Sequence, residues 1–369
     1  MSEQGIIVES PINHRLYAQG DEDQIFELVK AVWGSKLEIP KKNYWNEGWQ
    51  WMYTCNPAGK PIIWLAEQNG RLVGEYPLIM VDIKVGDRLV KAGQIVDTMT
   101  HPQYRRQKIA FSLGSKSLSQ LREQKALIAF GFPNAEAYPF HMKQGWIDVC
   151  AIQSMIKPLN LKNILIGYFN LDNTVANILS KLGELLLKLI FRARTPPEID
   201  GLTISKISRF DDRFIEFWEM ISKDYKIIVS RNKNYLNWRY IDAPNAMYTV
   251  YMAMINKKIC GYMVLEEKHH KELNFGRILD VVAPLDQKVV VQHLISKAVE
   301  HFERKEVDVI SSSLVCNRYR DCFLKMGFIP YPKSKSRFIA HKISSDISDE
   351  YLKESNNWFI QSGDLVMVF

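Results

Sequence analysis

The stretch His101-Pro102-Gln103-Tyr104-Arg105-Arg106-Gln107-Lys108-Ile109-Ala110-Phe111 sets Arg105, Arg106 and Lys108 close together, immediately before an apolar helical pattern. The strand-like run "IVDTMTHP" leads into it. A strand feeding a turn that opens a helix presents the unpaired N–H groups of the first helical turn, and such donors bind phosphate. Guanidinium groups at the rim add charge-assisted bonds. The other reading of the same residues is a basic turn that faces water.

The bulk numbers narrow the partners. A chain of 369 residues with 47% hydrophobic and 24% charged content has room for two cores. Its net charge of +7 suits an anionic small molecule or a membrane surface and falls short of a nucleic-acid footprint. The five cysteines (Cys55, Cys150, Cys260, Cys316, Cys322) form no CxxC pair, which argues for reduced thiols and against a disulfide framework or a metal site. The opening "MSEQGIIVESPINHR" has no leader pattern, and no run reaches the roughly 18 apolar residues of an integral membrane segment. A cytoplasmic protein is expected.

An internal repeat organises the chain. Trp51, Tyr53, Pro57 and Gly74 recur as Trp238, Tyr240, Pro244 and Gly261, each displaced by 187 positions. Past a shorter hairpin the displacement is 183, matching Asp97 with Asp280, Asn134 with Asn317 and Phe140 with Phe323; Gly145 then matches Gly327 at 182. Each copy begins with an amphipathic helix, carried by Ile25, Leu28, Val29 and Val32 in the first and by Phe214, Phe217, Trp218 and Ile221 in the second. Antiparallel strands follow, with Asn69-Gly70 and Gly86-Asp87 as tight turns in the first copy. A helix, a short apolar strand and another helix close each copy, implying a parallel pair in a mixed sheet.

Three segments are expected: 1–157, a linker from 158 to 200, and 201–369. In the linker, Asp172 can cap a helix with Val175, Ile178, Leu179, Leu182, Leu186, Leu189 and Ile190 on one face, ended by Pro196-Pro197. Lys181, Lys188, Arg192 and Arg194 lie opposite, so the helix either packs on a domain or rests on an anionic membrane. The final alternation of Leu365, Met367 and Phe369 predicts a last strand, with Trp358 and Asp364 serving packing, a turn or an acceptor groove.

The frame Arg105-Arg106-Gln107-Lys108-Ile109-Ala110 resembles the phosphate-binding signature of the GNAT superfamily of acyl-CoA-dependent N-acetyltransferases. The motif sits between about 95 and 146, while the rest of the chain resembles the superfamily in pattern, as a tandem. The resemblance implies an α/β (α+β) chain of two GNAT folds, each a mixed, largely antiparallel sheet flanked by helices. It also implies acetyl-CoA as donor, no metal, and a primary amine on a small molecule or sugar as acceptor. One departure stands out: Lys108 occupies the place of the signature's first glycine. A lysine can add an ammonium to the phosphates while its own N–H still donates, provided its φ stays negative.

Further roles follow from the resemblance. Asn134 would bond the pantetheine or its neighbouring backbone, and Tyr138 would protonate the departing thiolate, its other reading being a half-buried helix residue. A backbone N–H near Met99 or Thr100, at a bulge, would hold the acyl carbonyl. Amines are largely protonated at neutral pH, so a base is required. Asp97 is the first candidate, followed by Glu75 and His101, although the match of Asp97 to Asp280 also fits a purely architectural aspartate.

The second copy lacks these features. Lys288, Val289, Val290 and Val291 stand where the cradle would be, Asp286 adds negative charge, and Asp321 replaces Tyr138. Two other readings remain for the whole: a Fem-type aminoacyltransferase, which needs no pyrophosphate cradle, and a non-catalytic binding protein.

Overall fold

Among the described residues the repeat folds as two sheets, the first taking three strands from the second half of the sequence and the second taking one from the first half. The computed structural model describes residues 10–34, 41–190, 193–244, 246–270, 272–315, 318–331 and 336–366, without the side chains of 186–190. The first sheet runs Asn13–Leu16, Ile62–Gln68, Arg71–Val85, Arg88–Ile95, Ile128–Gly131, Arg337–Lys342, Ile147–Ala151. The second runs Ile329–Tyr331, Gln153–Pro158, Val309–Leu314, Leu273–Val282, Lys258–His270, Tyr248–Ile255, Leu202–Ile207.

The boundaries expected at 157 and 201 are therefore crossed in both directions. Arg337–Lys342 lies antiparallel between Ile128–Gly131 and Ile147–Ala151. Gln153–Pro158 lies antiparallel between Val309–Leu314 and Ile329–Tyr331. Burial on both faces holds the incoming strand: Phe338 packs among Phe130, Phe132 and Trp358, while Ile339 faces the core on the other side.

Local chemistry accounts for most of the framework. Asn69 (φ 52°) and Gly70 (φ 73°) make the two-residue turn between Ile62–Gln68 and Arg71–Val85, where both residues must be left-handed. Helices Ile109–Glu123 and Lys288–Arg304 are the crossovers of the two parallel pairs, Arg88–Ile95 with Ile128–Gly131 and Leu273–Val282 with Val309–Leu314. The first-copy helix Glu22–Trp33 buries Ile25, Leu28, Val29 and Val32, and the second-copy helix Arg213–Ser222 buries Phe214, Phe217 and Ile221.

The halves meet at the repeat itself. Trp51 and Trp238, 187 positions apart, stack at 5.1 Å, and each indole N–H donates to the other's carbonyl at 2.7 and 2.8 Å. Ile227–Val229, from the second half, extends the first sheet by pairing antiparallel with residues 83–85.

Two sequence expectations are revised. The tail forms its strand at Trp358–Phe359, alongside Ile227–Val229. Leu365 lies beyond that strand, in no sheet, because the buried turn Gln361–Asp364 comes between; Met367 and Phe369 are outside the described residues, as is Asn317. In the linker a helix at Leu161–Phe169 precedes the expected one, which spans Asn173–Ile190 and starts at Asp172, whose carboxylate accepts from the Thr174 N–H at 2.8 Å. Among the described residues its apolar face does not pack on a domain: Val175, Ile178, Leu179, Leu182 and Leu185 are exposed, because the small residues Ala176 and Ser180 face inward instead. Leu186, Leu189 and Ile190 have undescribed side chains.

Candidate active site

A break in one strand builds the site. Arg88–Ile95 pairs with Arg71–Val85 as far as Ile95 opposite Leu78, after which the Val96 N–H donates to Pro77 at 3.3 Å. Asp97 then takes φ 41°, and pairing resumes at Met99–Thr100 opposite Glu75 and Gly74. Such an interruption bends a strand. On its other side Arg88–Ile95 stays with the parallel strand to Ile95 opposite Gly131 and then diverges, leaving a fork. A cavity of about 220 Å³ opens there, lined by Val96, Asp97, Gly131, Asn134, His141 and Val366 among others.

Beyond Met99–Thr100 lies the basic turn. Arg105, Arg106, Gln107 and Lys108 are exposed, and Ile109–Glu123 starts directly after them with no side-chain cap. Ser112 N–H donates to Lys108 at 3.0 Å, so the amides of Ile109, Ala110 and Phe111 have no acceptor within the helix. Gly74 allows this approach, since a Cβ there would lie 2.8 Å from the buried Ile109 side chain. The negative φ required of Lys108 is not found: Arg106 (66°) and Lys108 (61°) are both left-handed, because the chain must reverse there to enter the helix. Left-handed residues beside ordinary ones turn successive N–H groups to a common side, as in anion-binding nests.

Glu75 and Asp97 form an acid pair on the face covered by Glu22–Trp33 and Lys42–Trp49. Glu75 is 1% exposed, and neither carboxyl oxygen has a hydrogen-bond partner among the described residues. Burial first, and then the charge of Asp97, hold its carboxyl well above the ordinary carboxylate range. Burial pushes Asp97 up to about 6, opposed by a 3.2 Å hydrogen bond from the Tyr53 hydroxyl. A second, much smaller hollow is lined by Glu75 and Asp97 and walled by Trp33, Trp45, Trp49 and Met99. Asp97 and Trp33 line both cavities.

The same place in the second copy is closed. Tyr240 and Asp280 repeat the Tyr53–Asp97 bond at 3.2 Å, but Tyr262 stands where Glu75 would be and donates to Asp280 at 2.7 Å. The fully buried Arg231 pairs with Asp280 at 3.0 Å and with Asp364 at 2.7 Å. Asp280 is thus neutralised by an arginine, whereas the first-copy pair has no cation in salt-bridge range among the described residues. Val290 and Val291 are core residues of their helix, and Asp286 is exposed at its start.

Not every expected residue reaches the fork. Asn134 lines it, and its carboxamide oxygen accepts from the Glu136 and Ala137 amides at 3.1 and 2.8 Å. Tyr138 does not line it. The short helix Tyr138–Lys143 turns Ala137 and His141, four residues apart, toward the cavity. Tyr138 is rotated away, and its hydroxyl donates to Asp148 at 2.9 Å, beside the Arg337 guanidinium. His101 lines neither cavity; its Nδ1 accepts from Gln103 at 3.4 Å and caps the turn at Pro102–Tyr104.

His141, the tryptophans and the Leu365–Val366 wall were missed. His141 is buried, its Nδ1 lacks a partner among the described residues, and burial lowers its pKa to about 4. The sequence held one signal, since its repeat equivalent is the apolar Leu324. Tyr53 was also legible, because it and Asp97 recur together as Tyr240 and Asp280.

The fork between parallel strands thus lies beside an uncapped basic helix start. Residues 13–147 match the model of the acetyltransferase (GNAT) domain, so the first half carries a domain of that family. In sequence, no curated protein matches the chain. Among solved structures it is similar to a probable N-acyltransferase of Enterococcus faecalis V583 (TM-score 0.61, 11% identity, 91% of this chain and 73% of that one). It is also similar to N-myristoyltransferase of Saccharomyces cerevisiae with bound myristoyl-CoA (0.59, 13%, 92% and 82%). A tandem GNAT protein from the clavulanic acid biosynthesis pathway is similar over its full length (0.56, 13%, 91% and 100%). The chain is built of two GNAT folds, the first of which carries the match to the acetyltransferase domain.

Proposed function

We propose that the first half transfers an acetyl group from acetyl-CoA to a primary amine on a small molecule or sugar. The observation that carries this reading is the acid pair Glu75–Asp97, without a cation in salt-bridge range among the described residues and with Asp97 lining both cavities, where its repeat is locked by Arg231. The donor's pyrophosphate would rest on the amides of Ile109 to Phe111 with Arg105 and Arg106 at the rim, and its arm would enter the fork. The acceptor's ammonium would enter the hollow walled by Trp33, Trp45 and Trp49, whose ring faces attract cations.

Asp97, between the two, takes the proton from R–NH3+. The amine lone pair then attacks the thioester carbon, the C–N bond forms, and the C–S bond breaks with its electron pair on sulfur. The second N–H proton of the tetrahedral adduct ends on the departing thiolate. His141, kept neutral by burial, supplies a hydrogen-bonding group to the fork rather than a charge.

Calorimetric titration with acetyl-CoA, followed by CoA release with a panel of amines, tests the proposal. Binding that Arg105→Ala plus Arg106→Ala weakens, and turnover that Asp97→Asn lowers roughly a hundredfold or more, are expected. Absence of acetyl-CoA binding by the intact protein sinks it.

A further inference from the structure

We propose that the helical pair between the two halves docks on an anionic membrane surface. Leu161–Phe169 and Asn173–Ile190 pack on each other, and Gly167 of the first meets Leu273 of the second sheet. Among the described residues, the inward face of the longer helix is made of small residues: Ala176 and Ser180 are buried, and a Cβ on Gly183 would lie 3.1 Å from Leu161. The large residues point the other way. Ile178 is 59% exposed, Leu182 and Leu185 are each 57% exposed, and Val175 and Leu179 flank them. Tyr168 and Phe169, at the joint between the helices, are 67% and 60% exposed.

A helix of a water-soluble domain turns such a stripe to the core. Here the amphipathic pattern is inverted, which is the arrangement of a helix lying in an interface with its apolar face in the acyl boundary. Exposed aromatic rings at one end suit the headgroup level. Among the described residues no helix is long and apolar enough to cross a membrane, so the pair would lie on the surface.

Charge selects the occupant. Residues 158–200 carry Lys162, Lys181, Lys188, Arg192 and Arg194 against Asp172, Glu184, Glu198 and Asp200, in a chain of net charge +7. A second copy of the chain would set like charge against like, whereas anionic headgroups supply the opposite sign. This inference is independent of the transfer reaction.

Co-sedimentation of the full chain with vesicles of equal phosphatidylglycerol and phosphatidylcholine tests it. The protein is expected to pellet with these vesicles, several-fold less with pure phosphatidylcholine, and several-fold less again as Ile178→Ser plus Leu182→Ser. Both side chains are exposed, so circular dichroism and urea unfolding of the double variant should match the parent. Lys181→Glu should weaken binding to the anionic vesicles alone. Failure to pellet with anionic vesicles, or pelleting untouched by the double variant, overturns the proposal. A dimer seen by light scattering that the double variant dissolves, with no vesicle binding, assigns the face to a second copy instead.

Discussion

Asp97 illustrates how much one residue's surroundings decide. A carboxyl raised to about 6 binds its proton more tightly folded than unfolded, so its contribution to stability is full below about pH 4 and is lost as pH rises through 6. As a base it works ionised, so activity moves the other way. The rate at saturating donor should therefore rise through about pH 6, while Asp97→Asn should flatten that rise and stabilise the fold at pH 8 by about 3 kcal/mol. A pH–rate profile and urea unfolding at pH 4.5 and 8 check both. The sequence offered Asp97 and Glu75 as candidates, and the match to Asp280 counted against Asp97. What the repeat alone could not give was Arg231, which sits far from Asp280 in sequence and decides which copy's acid is free.

At the scale of elements, the turn into Ile109–Glu123 was legible because cations and an apolar period adjoin. Its backbone was not, since sequence spacing does not fix φ. Lys108 at φ 61° occupies the left-handed region at a cost of order 1 kcal/mol, which glycine would avoid. Lys108→Gly is expected to raise stability by about that amount in urea and to keep acetyl-CoA binding within a few-fold, because the helix amides remain; a calorimetric loss of binding would show that the lysine charge is needed. Tyr138 was misplaced for a related reason. In a single-turn helix a shift of one residue rotates a side chain by about 100°, and the face carrying Ala137 and His141 is the one that meets the fork.

For the whole molecule, two similar sheets could be read from displacements of 187 and 183, but the exchange of strands between them could not. Arg337–Lys342 and Gln153–Pro158 look like ordinary strands of their own halves, and only packing on both faces shows where they belong. Expression of 1–157 alone should give an aggregating or molten chain, lacking near-ultraviolet dichroism, because its sheet is left with a gap beside Ile128–Gly131. Adding 158–369 in trans should restore a cooperative transition if the exchange is what holds the halves together.

The exchange also orders events on the ribosome. The nascent first sheet cannot close until residue 342 has emerged, and the fork gains its Leu365–Val366 wall only after residue 366 has followed. Until then its strand edges are available to chaperones and to neighbouring chains, so slow or interrupted translation should be more damaging to this protein than to one whose domains fold in turn.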